Sequence, residues 1–180
     1  TIGTMRWDMD KLGNIYLFGA GKACNAMAMA VCDVLKEKLT EGVISVKIAE
    51  DNDTYINTRV YVGGHPLPNE EGYRAAEDII QMIDKGKPGD LFISVISGGS
   101  SALLTCPKEG ITLQEEIQAQ DMLLRSGAKI EEINAVRRHI SRTNGGRLAE
   151  QVLKNGAEIV NIIVGDGVGA VSYTHLTLPT

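Results

Sequence analysis

The sequence predicts an α/β domain built on a doubly wound, mostly parallel sheet with helices on both faces, a Rossmann-like three-layer arrangement. Short runs rich in Ile, Val and Leu alternate with longer segments whose apolar residues recur at three- and four-residue spacing, the pattern of βαβ units. Most of the short runs are continuously apolar, as expected of strands covered on both faces. Glycine-rich turns follow several of them, at the strand ends where such sheets collect ligands.

Strands are expected at Asn14 to Phe18, Val43 to Ile48, Arg59 to Val62, Asp90 to Ile96 and Glu158 to Val164. The first runs into the turn Gly19-Ala20-Gly21-Lys22 and then a small-residue helix pattern to Leu39. A second helix is expected over Asn69 to Lys85, where Ala75, Ile79, Met82 and Ile83 form one apolar stripe and Gly86 with Pro88 closes the end. Further helices fit Leu113 to Ser126, stopped by Gly127, then Glu131 to Ile140, and Gly145 to Leu153, stopped by Gly156. No internal repeat or low-complexity linker interrupts the series.

The 180 residues suit one domain with a sizeable core, and 43% hydrophobic with 4% aromatic residues is ordinary for a globular protein. The net charge is −5 and the 18 basic residues are spread along the chain, so nucleic acid and anionic membrane surfaces are excluded as partners for want of a basic field. A small anionic substrate needs only a few placed cations and remains open. The three cysteines form no CxxC pair and read as small buried thiols of a cytoplasmic protein rather than zinc ligands. No run reaches the length of a membrane span, and Thr1 to Lys11 lacks a signal-peptide layout. The stretch AVSYTHLTLPT has neither helix period nor turn signal and resembles translated sequencing adapter, so residues 1–169 are expected to form the domain and 170–180 a non-native tail.

Several loops carry chemistry. In GAGKA, Tyr16 stands where a P-loop needs its first Gly and Ala23 where it needs a hydroxyl, while Cys24 takes the third Gly of a dinucleotide fingerprint. Glu50 or Asp51 after the second strand keeps a ribose-binding acid available, so a nicotinamide-dependent oxidoreductase stays an alternative. Gly19 and Gly21 permit a turn with open N–H groups, and Lys22 adds a full positive charge, which together suit an anion; the bland alternative is a tight strand-to-helix turn with a surface lysine. In SVISGGSSALL, Ser97, Gly98, Gly99, Ser100 and Ser101 offer backbone N–H groups and hydroxyls for phosphate or carboxylate oxygens. The same segment nearly satisfies the GxSxG nucleophile elbow, with Ala102 for the last Gly and His65 or His139 as the base a triad would need. His65 in GGHPLP sits in a rigid extended turn, as a structural hydrogen-bonding residue or a site residue. Asn134, Arg137 and Ser141 share one helical face, either a solvated basic face or a carboxylate holder.

Taken in order, GAGKA, GGHPLP with Gly72, SGGSSALL, SGAKIEEINAVRRHIS and GGRLA resemble the N-terminal domain of the class II glycerate kinases, over about Asn14 to Gly169. The resemblance implies ATP-dependent, Mg²⁺-assisted phosphorylation of D-glycerate to 2-phosphoglycerate in a cleft between two domains, with Lys22 matching the lysine proposed to be catalytic. It marks Asp166 as the candidate Mg²⁺ ligand, implies a C-terminal domain as the other wall of the cleft, and leaves a homodimer open. Without that second domain, turnover is not expected. Ser100 replaces the third Gly of the family's SGGGSALL, Asn144 replaces a lysine before the paired glycines, and Gly165 replaces a serine before Asp166. A hydroxypyruvate reductase and a non-catalytic binding domain for a phosphorylated sugar acid stand as the competing classes.

Overall fold

The computed structural model describes residues 1–51 and 53–165. The chain runs β1 (Ile15–Gly21), α1 (Cys24–Leu35), β2 (Glu41–Val46), β3 (Thr58–Val62), α2 (Glu70–Asp84), β4 (Leu91–Ser97), α3 (Ser100–Leu103), α4 (Leu113–Arg125), α5 (Ile130–Ile140), α6 (Arg147–Lys154) and β5 (Glu158–Val164). The strands form one sheet in the order β3-β2-β1-β4-β5, and every neighbouring pair is parallel. The chain works outward from β1 to β3, then returns to place β4 on the other side of β1. That reversal creates the switch point at which open α/β sheets bind ligands, outside the carboxyl ends of β1 and β4.

Alternation along β1 divides the core into two faces. Ile15 and Leu17 pack with Cys24, Ala28 and Cys32 of α1, whereas Tyr16, Phe18 and Ala20 pack with Ala75, Ile79 and Ile83 of α2 and Leu148 and Val152 of α6. Helices therefore cover both sides, as the strand pattern predicts. Tyr16 and Phe92 stack at 4.6 Å between ring centroids on the α2 face. The three cysteines are buried and unpaired, as expected. Among the described residues no helix is long and apolar enough to cross a membrane.

Boundaries differ from expectation where local geometry overrides the hydrophobic pattern. Helix α1 stops at Leu35 because Lys36 adopts φ 49°, and a 3₁₀ turn over Lys36–Lys38 replaces the last expected turn. Asn69 is a cap rather than a helical residue, its side chain accepting the Gly72 N–H at 2.9 Å. Helix α6 begins at Arg147 because Gly145 and Gly146 both take left-handed backbone, at φ 75° and 80°. The four-residue α3 has no counterpart in the expected series, because its apolar residues read as the continuation of a glycine-rich loop. Asp166, Gly169 and the 170–180 tail lie outside the described residues.

Candidate functional site

Two turns meet at the switch point. The Lys22 N–H donates to the Gly98 carbonyl at 3.0 Å and the Ala23 N–H to the Ser97 hydroxyl at 2.9 Å, clasping the end of β1 to the end of β4. Gly21 makes this contact possible: it holds φ 136°, and a Cβ there would stand 2.1 Å from the Ser97 hydroxyl oxygen. Gly19 lies inside β1 against Val95, where a Cβ would meet the Val95 carbonyl at 2.3 Å. The N–H groups at 22 and 23, expected to face an anion, are thus consumed within the protein. What the first turn contributes to the site is the exposed Lys22 side chain.

The second turn carries the open donors. Gly99 takes φ 90° and starts α3, and no hydrogen bond among the described residues uses the N–H of Gly99, Ser100 or Ser101, as is normal for the first residues of a helix. Gly99 is also where two functional side chains converge. A Cβ on it would stand 2.9 Å from Cδ2 and 3.1 Å from Nε2 of His65, and 3.6 Å from Cε of Lys22.

Beside this turn lies a cleft of about 320 Å³. Its polar wall is His65, Ser97 to Ser101, Asn134 and Arg137; its apolar wall includes Leu124, Ile130, Ile163 and Val164. Of the residues the sequence singles out, His65, the Ser97–Ser101 loop, Asn134 and Arg137 come together, and Lys22 reaches the same loop at Gly99. Ser141 does not join them: it ends α5 in extended backbone and its hydroxyl bonds with that of Thr143 at 3.0 Å. His139 is exposed, with Nδ1 2.7 Å from the Ala135 carbonyl.

Electrostatically the site is positive. Burial, with Lys22, Lys47 and Arg137 nearby, pushes the His65 imidazole below its ordinary value, so it is neutral at pH 7. These surroundings are the reverse of a hydrolase triad, in which an acid supports the histidine, and Ser100 is 96% shielded from solvent, at 4% exposure. The donor set therefore suits binding a small anion, with neutral His65 as a hydrogen-bonding partner. Neither the described cleft lining nor any other cluster among the described residues gathers the three His, Cys, Asp or Glu side chains a metal ion needs.

Sequence reasoning missed Glu116 and Gln120. Both are fully buried on α4, where the helical pattern gave no sign that the inward face is polar. It also missed that Ser100 and Asn144, two of the three departures from the family pattern, line one small pocket of about 30 Å³ beneath the glycine loop, with the Asn144 Nδ2 buried and without a partner among the described residues.

An all-parallel α/β domain with a cleft lined by hydrogen-bond donors and Arg137 at its topological switch point defines the class. The chain belongs to the family described as "Domain of unknown function (DUF4147)", whose profile matches residues 2–172. It is 35% identical over 158 residues to the D-glycerate 2-kinase of Thermotoga maritima, covering 88% of this chain and 37% of the relative. A 37% identical relative from Agrobacterium vitis, matched over 155 residues, carries the provisional name of a hydroxypyruvate reductase, with 86% of this chain and 40% of the relative covered. The crystal structure of glycerate kinase from Thermotoga maritima superposes with a TM-score of 0.81 at 34% identity, covering 93% of this chain and 40% of that one. The resemblance to the glycerate kinases and the expected fold are both borne out, and the chain spans less than half the length of the relatives it matches.

Proposed function

We propose that this segment forms one wall of a glycerate kinase active site, in which the γ-phosphoryl group of MgATP passes to a hydroxyl of D-glycerate, giving 2-phosphoglycerate. The observation that carries the reading is the convergence of Lys22 and His65 on the Gly99 turn, beside a strand-end cleft whose polar wall includes Asn134 and Arg137. Phosphoryl transfer asks little covalent chemistry of a protein; positioning and neutralisation of charge do most of it. Arg137 and Asn134 hold the glycerate carboxylate. The N–H groups of Gly99, Ser100 and Ser101, with the Ser101 hydroxyl, bind oxyanions. Lys22 neutralises the charge developing on the transferred group, and His65, kept neutral, bonds to a substrate hydroxyl without adding a further cation.

Mg²⁺ enters this reading as the counter-ion of the ATP substrate. The described cleft residues do not themselves make a metal site, and Asp166 remains the proposed ligand on family resemblance alone. The other wall belongs to the remaining length of the relatives, so the activity is that of a longer protein.

The reductase reading fits the turn poorly. A dinucleotide fingerprint offers its turn N–H groups to pyrophosphate, whereas here those of Lys22 and Ala23 are bound to Gly98 and Ser97. Incubating the full-length protein with D-glycerate and either MgATP or NAD⁺ tests the choice. ADP with a phosphorylated acid supports the kinase, and NADH without ADP overturns it.

A further inference from the structure

Arg137 reaches the cleft from a buried seat whose walls belong to a different helix. Its Nε–H donates to Oε1 of Gln120 at 3.1 Å, and the Gln120 amide donates to Oε1 of Glu116 at 3.1 Å. The Thr105 hydroxyl donates to that same Glu116 oxygen at 2.6 Å. Thr105, Glu116 and Gln120 are 0% exposed and Arg137 is 8% exposed. Burying such groups is unfavourable unless they are paired, so the chain of bonds needs a reason to exist.

The packing of α4 sharpens the point. Glu116 and Gln120 are the two residues this helix buries, while Met122 stays 71% exposed. The helix turns polar side chains inward and gives up apolar burial.

Arg137 gains a defined orientation. Nε is tied, and no hydrogen bond among the described residues uses Nη1 or Nη2. A carboxylate at position 120 would pair with the guanidinium directly and neutralise it; the Gln120 amide instead stands between Arg137 and the Glu116 carboxyl group. A guanidinium fixed in this way presents its two terminal nitrogens as a ready fork for an oxyanion.

We propose that Gln120 and Glu116 are positioning residues for Arg137, an amide anchored on a buried carboxylate that fixes the guanidinium plane and keeps its terminal nitrogens free for the substrate carboxylate. The inference rests on the reading of Arg137 as the group that holds that carboxylate. Neither Gln120 nor Glu116 touches substrate; both act through the arginine.

The test is a double-mutant cycle in the full-length enzyme, reading KM for D-glycerate, KM for MgATP and kcat. Gln120→Met is expected to raise KM for D-glycerate about tenfold, comparable to weakening one charge-assisted hydrogen bond, with the other two constants changed by less than about threefold. In an Arg137→Lys background the same change should add less than about twofold, because the group it positions is gone. An equal rise in both backgrounds, or no rise in a folded Gln120→Met enzyme, overturns the positioning role. If Gln120→Met does not fold, Gln120→Asn, which stays polar but is too short to hold Nε of Arg137 from the same backbone position, replaces it in the cycle with the same expectation. A folded Arg137→Lys enzyme with unchanged KM for D-glycerate would instead refute the assignment of Arg137 to the substrate, and the positioning role with it.

Discussion

The Ser97 hydroxyl accepts the Ala23 N–H at 2.9 Å, so the residue that ends β4 also fixes the turn that follows β1. Ser97→Ala leaves that donor without its partner in a part-buried place. Unfolding in urea should show a loss of about 1–2 kcal/mol, the range for an orphaned donor. Activity should fall with it, because the same clasp sets where Lys22 leaves the backbone. Stability and kcat both unchanged would mean that the two turns hold position without it.

Gly99 and Gly89 form a natural pair of controls. Their φ angles are nearly the same, at 90° and 91°, but a Cβ on Gly89 meets nothing within 4 Å whereas one on Gly99 stands 2.9 Å from the His65 ring. Gly89→Ala should cost about 1–2 kcal/mol of stability from backbone strain alone, with kcat/KM preserved. Gly99→Ala should cost more than Gly89→Ala and also raise KM for the acid by displacing His65. Thermal unfolding and steady-state kinetics on the two variants separate strain from site damage.

His65 should leave a signature in the pH dependence of stability. Its pKa is lowered in the folded state by burial and by Lys22, Lys47 and Arg137. Below the pH at which the unfolded imidazole protonates, about 6.5, the unfolded chain therefore binds more protons than the folded one, and stability falls as pH drops towards the lowered folded value. Denaturant midpoints measured between about pH 7.5 and about pH 5, the range that spans imidazole titration, should fall less steeply in His65→Gln than in the native sequence. Parallel slopes would contradict the cationic setting of this ring.

Ser100 and Asn144 depart from the family pattern separately in sequence but share a pocket of about 30 Å³. Asn144→Lys, which brings back the family residue, needs room for a longer chain. Made alone it should destabilise more than when combined with Ser100→Gly, with a coupling of at least about 0.5 kcal/mol for residues that share one cavity. Strict additivity in urea unfolding would show that the shared pocket does not couple them.

The sheet was legible because β1 and β4 are apolar on both faces, and a run such as LFISVIS admits few other placements. The cleft was legible in outline because Gly98-Gly99 and Asn134 with Arg137, which line it together, stand out in the sequence as a glycine turn and a polar helical face. The fate of individual N–H groups was hidden. Whether Lys22 and Ala23 offer theirs to a ligand or to Gly98 and Ser97 depends on a contact across 74 residues of sequence. Glu116 and Gln120 were hidden for a related reason: an acidic and an amide residue four apart on a helix ordinarily mark its wet face, and only the packing of α5 turns that face inward.

The central claim is that the Lys22 ammonium, set beside His65 and Gly99, stabilises a transferring phosphoryl group. Steady-state kinetics of Lys22→Ala in the full-length enzyme, with D-glycerate and MgATP, tests it most directly. The expected result is a fall in kcat on the order of 10²-fold or more in a protein that unfolds at an unchanged temperature, comparable to removing one preorganised electrostatic donor. A fall smaller than about threefold would contradict it.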